Sequence, residues 1–198
     1  MKRLLLSLLL SASALAQPDP YLIVPGKGFG RFGPSMTLEQ MEKKMEPGNY
    51  LEGENLGRPT VEIFAMDPFL RIVMFVNHRR QLRSMLVHGY MGKWHTAEGI
   101  RLGTTLRSLE SINGRAFRFH AMSGRPEGGR IIDWRGGRLA GRFARVRLTF
   151  ASAMHSEGYS ELSYQEKVRV EKAGVVFRSD ERLARKLNPI VETIELAF

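Results

Sequence analysis

The chain has 198 residues, with 30 lysines and arginines against 20 aspartates and glutamates, so its formal net charge is +10 at pH 7. It contains no cysteine, which excludes disulfide bonds, thiolate metal sites and thiol catalysis. A hydrophobic fraction of 43% is ordinary for a globular protein, so the chain can bury a core without covalent cross-links.

Residues 1–16 have the pattern of a cleavable secretory signal. Lys2-Arg3 precedes an apolar run from Leu4 to Leu10, and Ala14-Leu15-Ala16 has the small residues of a cleavage site. The apolar run is shorter than the roughly 20 residues that a membrane-spanning helix needs. We therefore expect a mature protein from Gln17, in the periplasm or secreted, with no transmembrane segment.

The positive charge is concentrated in one part of the mature chain. The mature chain would carry +8, from 28 basic and 20 acidic residues, once Lys2 and Arg3 are removed. Residues 115–147 hold nine arginines and no lysine, against Glu127 and Asp133, so this segment alone contributes +7 (9 − 2). The rest of the mature chain is therefore nearly neutral.

The first half of the mature chain is predicted to form one helix followed by strands. Thr37 and Gln40 have the spacing of a capping box, and Pro47-Gly48-Asn49 would end the helix. Three apolar, β-branched runs predict antiparallel strands, at residues 61–66, 70–76 and 82–90.

The second half begins with a stretch that combines turn and cap residues. Thr105 is the predicted N-cap of a helix with a buried stripe of Leu106, Leu109 and Ile112. Asn113-Gly114 would end this helix with a left-handed residue. Strands are predicted at residues 116–121, 130–135 and 143–151.

The strand at residues 143–151 is predicted to be the longest, and it alternates apolar and basic residues. The inward set is Ala144, Val146, Leu148 and Phe150, whereas Arg145 and Arg147 would face outward.

Two helices and a strand are predicted for the C-terminal part. Ser163 and Glu166 form a second capping box, although the Val168 and Val170 alternation also fits a strand. Ser179 would cap a short helix, and residues 190–198 would form a closing strand. The elements together predict an α+β fold, in which short helices pack on antiparallel β-sheet.

Two segments of the chain are similar to each other. Thr37-Leu38-Glu39-Gln40-Met41-Glu42 matches Thr105-Leu106-Arg107-Ser108-Leu109-Glu110 at an offset of 68 residues (105 − 37). This match predicts two tandem helix-plus-strands repeats at residues 17–90 and 91–198, with one continuous domain as the alternative.

The helix start after Gly103, with its Thr-Leu-x-x-Leu sequence, resembles the exported repeat modules typified by β-lactamase inhibitor proteins. It is also similar to the small lipoprotein of the outer-membrane barrel assembly machinery, and the stretch from Trp94 to Trp134 resembles uncharacterised secreted bacterial proteins. The resemblance covers residues 28–45 and 94–135, and this chain has neither the lipid-attachment cysteine of that lipoprotein nor the disulfides of the inhibitor proteins. It implies an α+β fold that binds proteins, and it supplies no catalytic residue.

The sequence has few patterns that are typical of a catalytic site. The chain has no Gly-x-Ser-x-Gly nucleophile motif. His95 and Glu98 are three residues apart and His88 lies seven residues before His95, but they straddle a strand end and a turn, so a metal site there is only a minor alternative. Together with Asp133 these residues are the candidates for the alternative of a periplasmic hydrolase acting on cell-envelope material. We assign no catalytic residue, metal or cofactor.

The arginine-rich segment is the best candidate for function. Arginine binds carboxylates and phosphates through two parallel hydrogen bonds and stacks on aromatic rings. In an exported protein, an anionic envelope polymer or an acidic protein fits these arginines better than nucleic acid does. The candidate binding residues are Arg115, Arg118, Arg130, Trp134, Arg135, Arg145 and Arg147.

Two plainer interpretations stay open at this point. The arginines could be the solvated outer faces of strands, where charge discourages edge-to-edge pairing. Trp94 and Trp134 could be binding anchors, but tryptophans so close to glycine turns and strands more often pack in a core. A structural envelope protein is then a third interpretation, beside a binding module and a hydrolase.

Overall fold

The structure is a computed structural model that describes residues 19–55 and 57–198. The predicted signal segment and its cleavage site lie outside the described residues. Within those ranges the chain forms twelve strands and four α-helices. The predicted α+β fold is confirmed.

The elements have the following bounds. The strands before residue 90 are β1 (Leu22–Val24), β2 (Gly28–Phe29), β3 (Tyr50–Asn55), β4 (Arg58–Ile63), β5 (Ile72–Val76) and β6 (Leu82–His88). The later strands are β7 (His95–Thr96), β8 (Arg118–His120), β9 (Ile131–Asp133), β10 (Val146–Phe150), β11 (Val176–Arg178) and β12 (Val191–Ala197). The helices are α1 (Leu38–Glu42), α2 (Leu106–Asn113), α3 (Tyr164–Glu171) and α4 (Arg182–Leu187).

The largest sheet has six antiparallel strands in the order β10-β12-β6-β5-β4-β3. It therefore combines strands from both of the predicted repeats. A second sheet has the order β11-β8-β9, and a third has the order β2-β1-β7, in which β1 and β7 are parallel. The duplication itself stays a prediction.

One face of the six-stranded sheet forms the floor of the hydrophobic core. Leu148, Ile194 and Val87 are register partners across β10, β12 and β6, and each is at most 1% exposed. Helix α2 contributes Leu106 and Leu109 to the same core cluster. Burying such side chains contributes about 1.5–3 kcal/mol each, so the core is the main source of stability in a chain without disulfides.

Several predicted helix ends agree with the structure because they depend on local geometry. The predicted end of α1 at Pro47-Gly48-Asn49 is wrong, since this helix ends at Glu42. The Thr37 hydroxyl accepts from the Gln40 backbone N–H (3.1 Å), and the Gln40 side-chain oxygen accepts from the Thr37 backbone N–H (2.9 Å). Ser163 and Glu166 form the second box at the start of α3. Gly114 ends α2 with a φ of 72°, as the Asn-Gly pair predicts. None of the helices in the described ranges is both long and apolar enough to cross a membrane.

The prediction for residues 143–151 is wrong at its N-terminal end. The strand begins only at Val146, and Ala144 is exposed rather than inward-facing. Phe143 N–H donates to Leu139 O (2.9 Å) and Val146 N–H donates to Phe143 O (3.1 Å), so the preceding residues form consecutive turns. With five residues, β10 is shorter than β6 and β12, which have seven each.

The predicted cap at Ser179 is also wrong. Helix α4 has Glu181 as its N-cap, without a side-chain cap bond. Ser179 is fully buried, where its hydroxyl accepts from Phe117 N–H (3.0 Å) and donates to Glu110 of α2. Ser179 therefore binds residues that are distant in sequence instead of capping the helix that follows it.

Candidate binding cleft

The edges of two sheets meet at a cleft that contains part of the arginine-rich segment. Strands β9 and β10 are each the outermost strand of their sheet. They are joined at one isolated bridge between Arg130 and Thr149, beside which Phe150 N–H donates to Gly129 O (3.0 Å). Beyond this bridge a cavity of about 370 Å³ opens, lined by Arg130, Ile131, Ile132, Trp134, Ala140, Phe143, Ala144, Val146 and Arg147.

A β-bulge lies on β9 beside the cavity. On β9 the register moves from Ile131 opposite Phe119 to Asp133 opposite Arg118, so Ile132 is an extra residue. An extra residue bends its strand and increases the local twist. Ile132 is 39% exposed and lines the cavity.

Trp134 forms the apolar wall of the cleft. Its ring centroid lies 5.4 Å from that of Phe117 and 5.9 Å from that of Phe143. The side chain is half-buried, so part of the ring faces the cavity. Phe143 is only 2% exposed and lies in the core. It belongs to the turns that precede β10.

Asn113 holds this wall in place, and the sequence analysis missed its role. Its side-chain amide donates to Arg115 O (2.9 Å) and Trp134 O (3.1 Å), and its Oδ1 accepts from Leu139 N–H (3.2 Å). The residue is fully buried. Its spacing of seven residues from Leu106 indicates that Asn113 lies on the buried face of α2. The sequence pattern had assigned that position to Ile112, which is only half-buried.

Gly137 permits this arrangement through close approach. A β-carbon at Gly137 would lie 2.2–2.4 Å from the side-chain atoms of Asn113. No other residue type fits there without displacing the buried amide. The turn that carries Trp134 is therefore fixed to the C-terminus of α2.

The register of the strands places several candidate arginines on one outer surface. Arg147 lies between the buried Val146 and Leu148 on β10, so it faces outward, and Arg145 is exposed one residue before the strand. Arg130 lies opposite Thr149, which makes Arg130 and Arg147 diagonal neighbours, a relation in which residues are about 7–8 Å apart.

Two of the six candidate arginines are paired with carboxylates. Arg118 lies 3.1 Å from Asp133, and Arg147 lies 3.3 Å from Glu195 on the neighbouring strand. The Arg135 backbone N–H donates to Asp133 (2.7 Å), and this bond together with the Arg118 guanidinium lowers the pKa of Asp133. Asp133 is therefore ionised at neutral pH.

The other candidate arginines are not neutralised in this way. Among the described residues, no carboxylate lies within 4.0 Å of Arg115, Arg130, Arg135 or Arg145. All four are exposed. The cleft thus has an excess of positive charge over the Asp133 and Glu195 carboxylates beside it.

The structure brings together some of the seven candidate residues but not all. Arg130, Trp134 and Arg147 line the cavity itself. Arg145 lies one residue before β10. Arg118 and the backbone of Arg135 contact Asp133, and none of these three residues lines the cavity. Arg115 lies farther along, beside the turn at Gly136.

Two further arginines of the segment have structural partners. The Arg138 guanidinium donates to Ser111 O (2.8 Å) in the last turn of α2, where cations stabilise the free carbonyls of a helix. Arg142 lies 3.1 Å from Glu98. Part of the charge therefore supports the fold.

The four hydrolase candidates have separate partners. His88 accepts from Arg71 (2.5 Å), His95 lies 3.0 Å from Asp19, Glu98 pairs with Arg142, and Asp133 pairs with Arg118. In the described part of the chain, no group of three His, Asp or Glu side chains could hold a metal.

The pKa values of His88 and Glu98 are both lowered. Burial and the Arg71 cation lower the pKa of His88. Burial alone would raise the pKa of Glu98, but hydrogen bonds from its own backbone N–H, from Thr96 and from Arg142 together lower it. Glu98 is thus held as a carboxylate rather than as a proton donor.

Trp94 and the glycine–threonine stretch after it are parts of the fold. Trp94 is 2% exposed and donates its indole N–H to Leu70 O (2.8 Å). A cavity of about 530 Å³ is lined in part by residues between Gly99 and Thr105. The Thr104 hydroxyl accepts from Arg101 N–H (2.9 Å), and Thr105 caps α2. The hydroxyls there are used for turns and caps.

No protein-family model matches this chain, and comparison with curated proteins and with solved structures also finds no match. The resemblance to exported helix-on-sheet modules stays a prediction.

Proposed function

We propose that this protein is an exported, non-catalytic binding module that holds an anionic macromolecule at the β9–β10 cleft. The observation that carries the proposal is the cluster of exposed arginines without carboxylate partners around an apolar wall. Arg130 lines the cavity together with Trp134, and the exposed Arg145 lies one residue before β10. Arg147 also lines the cavity, but it is paired with Glu195.

The chemistry of these side chains supports an anionic ligand. An arginine without a partner still presents five N–H donors in a planar fork, which matches carboxylate and phosphate groups. Because no carboxylate among the described residues lies within 4.0 Å of Arg130 or Arg145, these two arginines need not break an ion pair to bind. Trp134 adds an aromatic surface of the kind that anchors binding partners.

The partner is a protein or an anionic polymer of the cell envelope. Both carry carboxylates or phosphates, and both are present where a cleavable signal at residues 1–16 would deliver the chain. Hydrolysis has less support, because His88, His95, Glu98 and Asp133 have separate partners.

The plainer alternative is that the arginines only protect two exposed sheet edges from aggregation. This alternative and the proposal differ in one respect. Edge protection requires charge but no defined ligand contact, so any equal loss of positive charge should have the same effect on binding to polyanions.

Two double variants with equal net charge test the proposal. Arg130→Glu with Arg145→Glu reverses charge at the cleft, whereas Arg79→Glu with Arg182→Glu reverses it at two exposed arginines that also have no carboxylate within 4.0 Å among the described residues. The measurement is the affinity of each variant for poly-L-glutamate and for dextran sulfate, with its salt dependence.

The expected result is that the cleft variant binds at least one polyanion about tenfold more weakly than the control variant. Its affinity should also depend less on salt, since fewer charges are neutralised on binding. Equal losses in the two variants would favour the edge-protection alternative and contradict the proposal.

A further inference from the structure

We infer that a second cavity binds a small amphipathic molecule, one that has an apolar ring system and a single anionic group. This Tyr21–Phe64 cavity has a volume of about 510 Å³, and it shares no lining residue with the β9–β10 cleft. Binding there would therefore be a further function, independent of the one proposed for the cleft.

Apolar and aromatic side chains form the walls of the Tyr21–Phe64 cavity. Tyr21, Phe64 and Leu70 line it and are half-buried, so each has exposed surface for a ligand. Phe32 and Trp94 also line it, but each is only 2% exposed, so they support the walls and offer little contact surface. Walls of this kind, and a volume within about 300–1,000 Å³, are typical of small-molecule sites.

The walls are fixed in place before any ligand binds. Gly30 approaches Pro20 so closely that a β-carbon at Gly30 would lie 2.1 Å from Pro20 O. On another side of the cavity, Trp94 donates its indole N–H to Leu70 O (2.8 Å). A site that is already ordered loses little conformational freedom on binding, which favours affinity.

Phe64 has a backbone conformation that bulky residues rarely adopt. Its φ is 54°, in the left-handed region that is unfavourable for a residue with a β-carbon. Asp67 N–H donates to Phe64 O (3.0 Å), and the Phe64 ring packs edge-on against Phe32 at a centroid distance of 5.5 Å. Strained residues cluster at ligand sites, and here the strained residue supplies an aromatic wall.

Arg31 supplies a positive charge to the cavity. Its side chain is exposed and lines the cavity, and its guanidinium lies 5.2 Å from the Phe32 ring centroid. Among the described residues, no carboxylate lies within 4.0 Å of Arg31. Asp19 also lines the cavity, but its carboxylate lies 3.0 Å from His95. An anionic group therefore fits beside Arg31, with the apolar part of the ligand against the walls.

The walls and the cation make contributions that can be measured separately. The walls should bind a ring system whether or not it is charged, whereas Arg31 should add affinity only for an anion. Anilinonaphthalenesulfonate has such rings and a sulfonate, and phenylnaphthylamine is a neutral dye with the same rings. Both dyes become more fluorescent when they move from water into an apolar site.

The experiment titrates the full chain with each dye and compares each variant with a matched control. Arg31→Gln removes the cation at the cavity, and Arg79→Gln removes another exposed arginine that has no carboxylate within 4.0 Å among the described residues. Phe64→Ala and Phe64→Leu remove the ring at the wall, and Tyr164→Ala removes a ring that is 82% exposed on α3. Circular dichroism verifies that each variant is folded.

We expect each dye to bind wild type at one site. Arg31→Gln should bind the sulfonate about fivefold more weakly, the loss of one exposed ion pair, and should bind the neutral dye unchanged. Phe64→Ala should bind both dyes about tenfold more weakly because the wall loses its ring, and Phe64→Leu should lose less. The two single control variants should bind like wild type.

Three results would each overturn the inference. They are the failure of either dye to bind at one site, equal binding of the sulfonate by Arg31→Gln and Arg79→Gln, and equal binding of the neutral dye by the Phe64 variants and Tyr164→Ala. A loss confined to Arg130→Glu/Arg145→Glu, relative to Arg79→Glu/Arg182→Glu, would place the dyes at the β9–β10 cleft and would also contradict it.

Discussion

The two tryptophans of this chain lie in opposite surroundings although both follow strands and glycine-rich turns. Trp94 is enclosed by Tyr21 and Phe29, with ring centroids 5.7 and 5.6 Å away, and its indole N–H is bonded. Trp134 packs on the core with one part of its ring and lines a cleft with another. Trp94 therefore contributes to stability alone. Trp134 is held by the Asn113 hydrogen bonds and also contributes an exposed surface to the cleft.

The largest expected effect comes from truncating each tryptophan in turn. Trp94→Ala should lower the free energy of unfolding by about 4 kcal/mol, in the range for a buried tryptophan. Trp134→Ala should lower it by about half as much or less, because its side chain is only half-buried. Urea unfolding followed by circular dichroism gives both values, and equal losses would remove the distinction between the two regions.

The frame behind Trp134 can be tested at Gly137. Gly137→Ala would force a methyl group onto the Asn113 amide and should destabilise the protein by about 3 kcal/mol, from overpacking and strained buried hydrogen bonds. Gly141→Ala is the matched control, because a β-carbon there meets no atom within 4 Å, and it should change stability by less than about 0.5 kcal/mol. Similar unfolding midpoints for the two variants would show that the Asn113 contacts do not fix the turn.

The smallest expected effect is the pH dependence of the ion pair beside the cleft. Because the pKa of Asp133 is lowered in the folded state, its stabilising contribution is present at neutral pH and is lost as the pH falls through that lowered pKa. The side chain is 39% exposed, so solvent screening should limit the contribution to under about 1 kcal/mol.

Asp133→Asn measures this contribution, since it removes the charge and keeps an oxygen that can accept from Arg135. The difference in unfolding free energy between wild type and variant should be largest at neutral pH. It should begin to decrease near the ordinary aspartate pKa of about 3.9 and disappear only below the lowered pKa of the folded state. A difference that grows on acidification would have the wrong sign for a lowered pKa.

The parts of the fold that were predictable from sequence are those determined by neighbouring residues. The Thr37 and Ser163 capping boxes and the Gly114 helix end need only a few residues in register. The three antiparallel strands after α1 were also predicted, with bounds shifted by a few residues. The hairpin partner β3 was missed, because its exposed residues lack an apolar pattern.

The features that escaped prediction depend on distant partners. Ser179 bonds to Phe117, 62 residues away, and Asn113 bonds to Trp134, 21 residues away. The arginines of the candidate site were evident from composition. The cleft was not, because it forms where the edges of two separate sheets meet at Arg130 and Thr149. No local pattern encodes that meeting.

The most direct test of the account is amide hydrogen exchange of the full chain with and without saturating poly-L-glutamate. The account predicts that protection increases at residues 130–134 and 144–148, and that the Arg130→Glu/Arg145→Glu variant loses this protection. Protection spread over all the basic surfaces, or confined to a region away from the cleft, would contradict the claim that the arginines around Trp134 form a binding site.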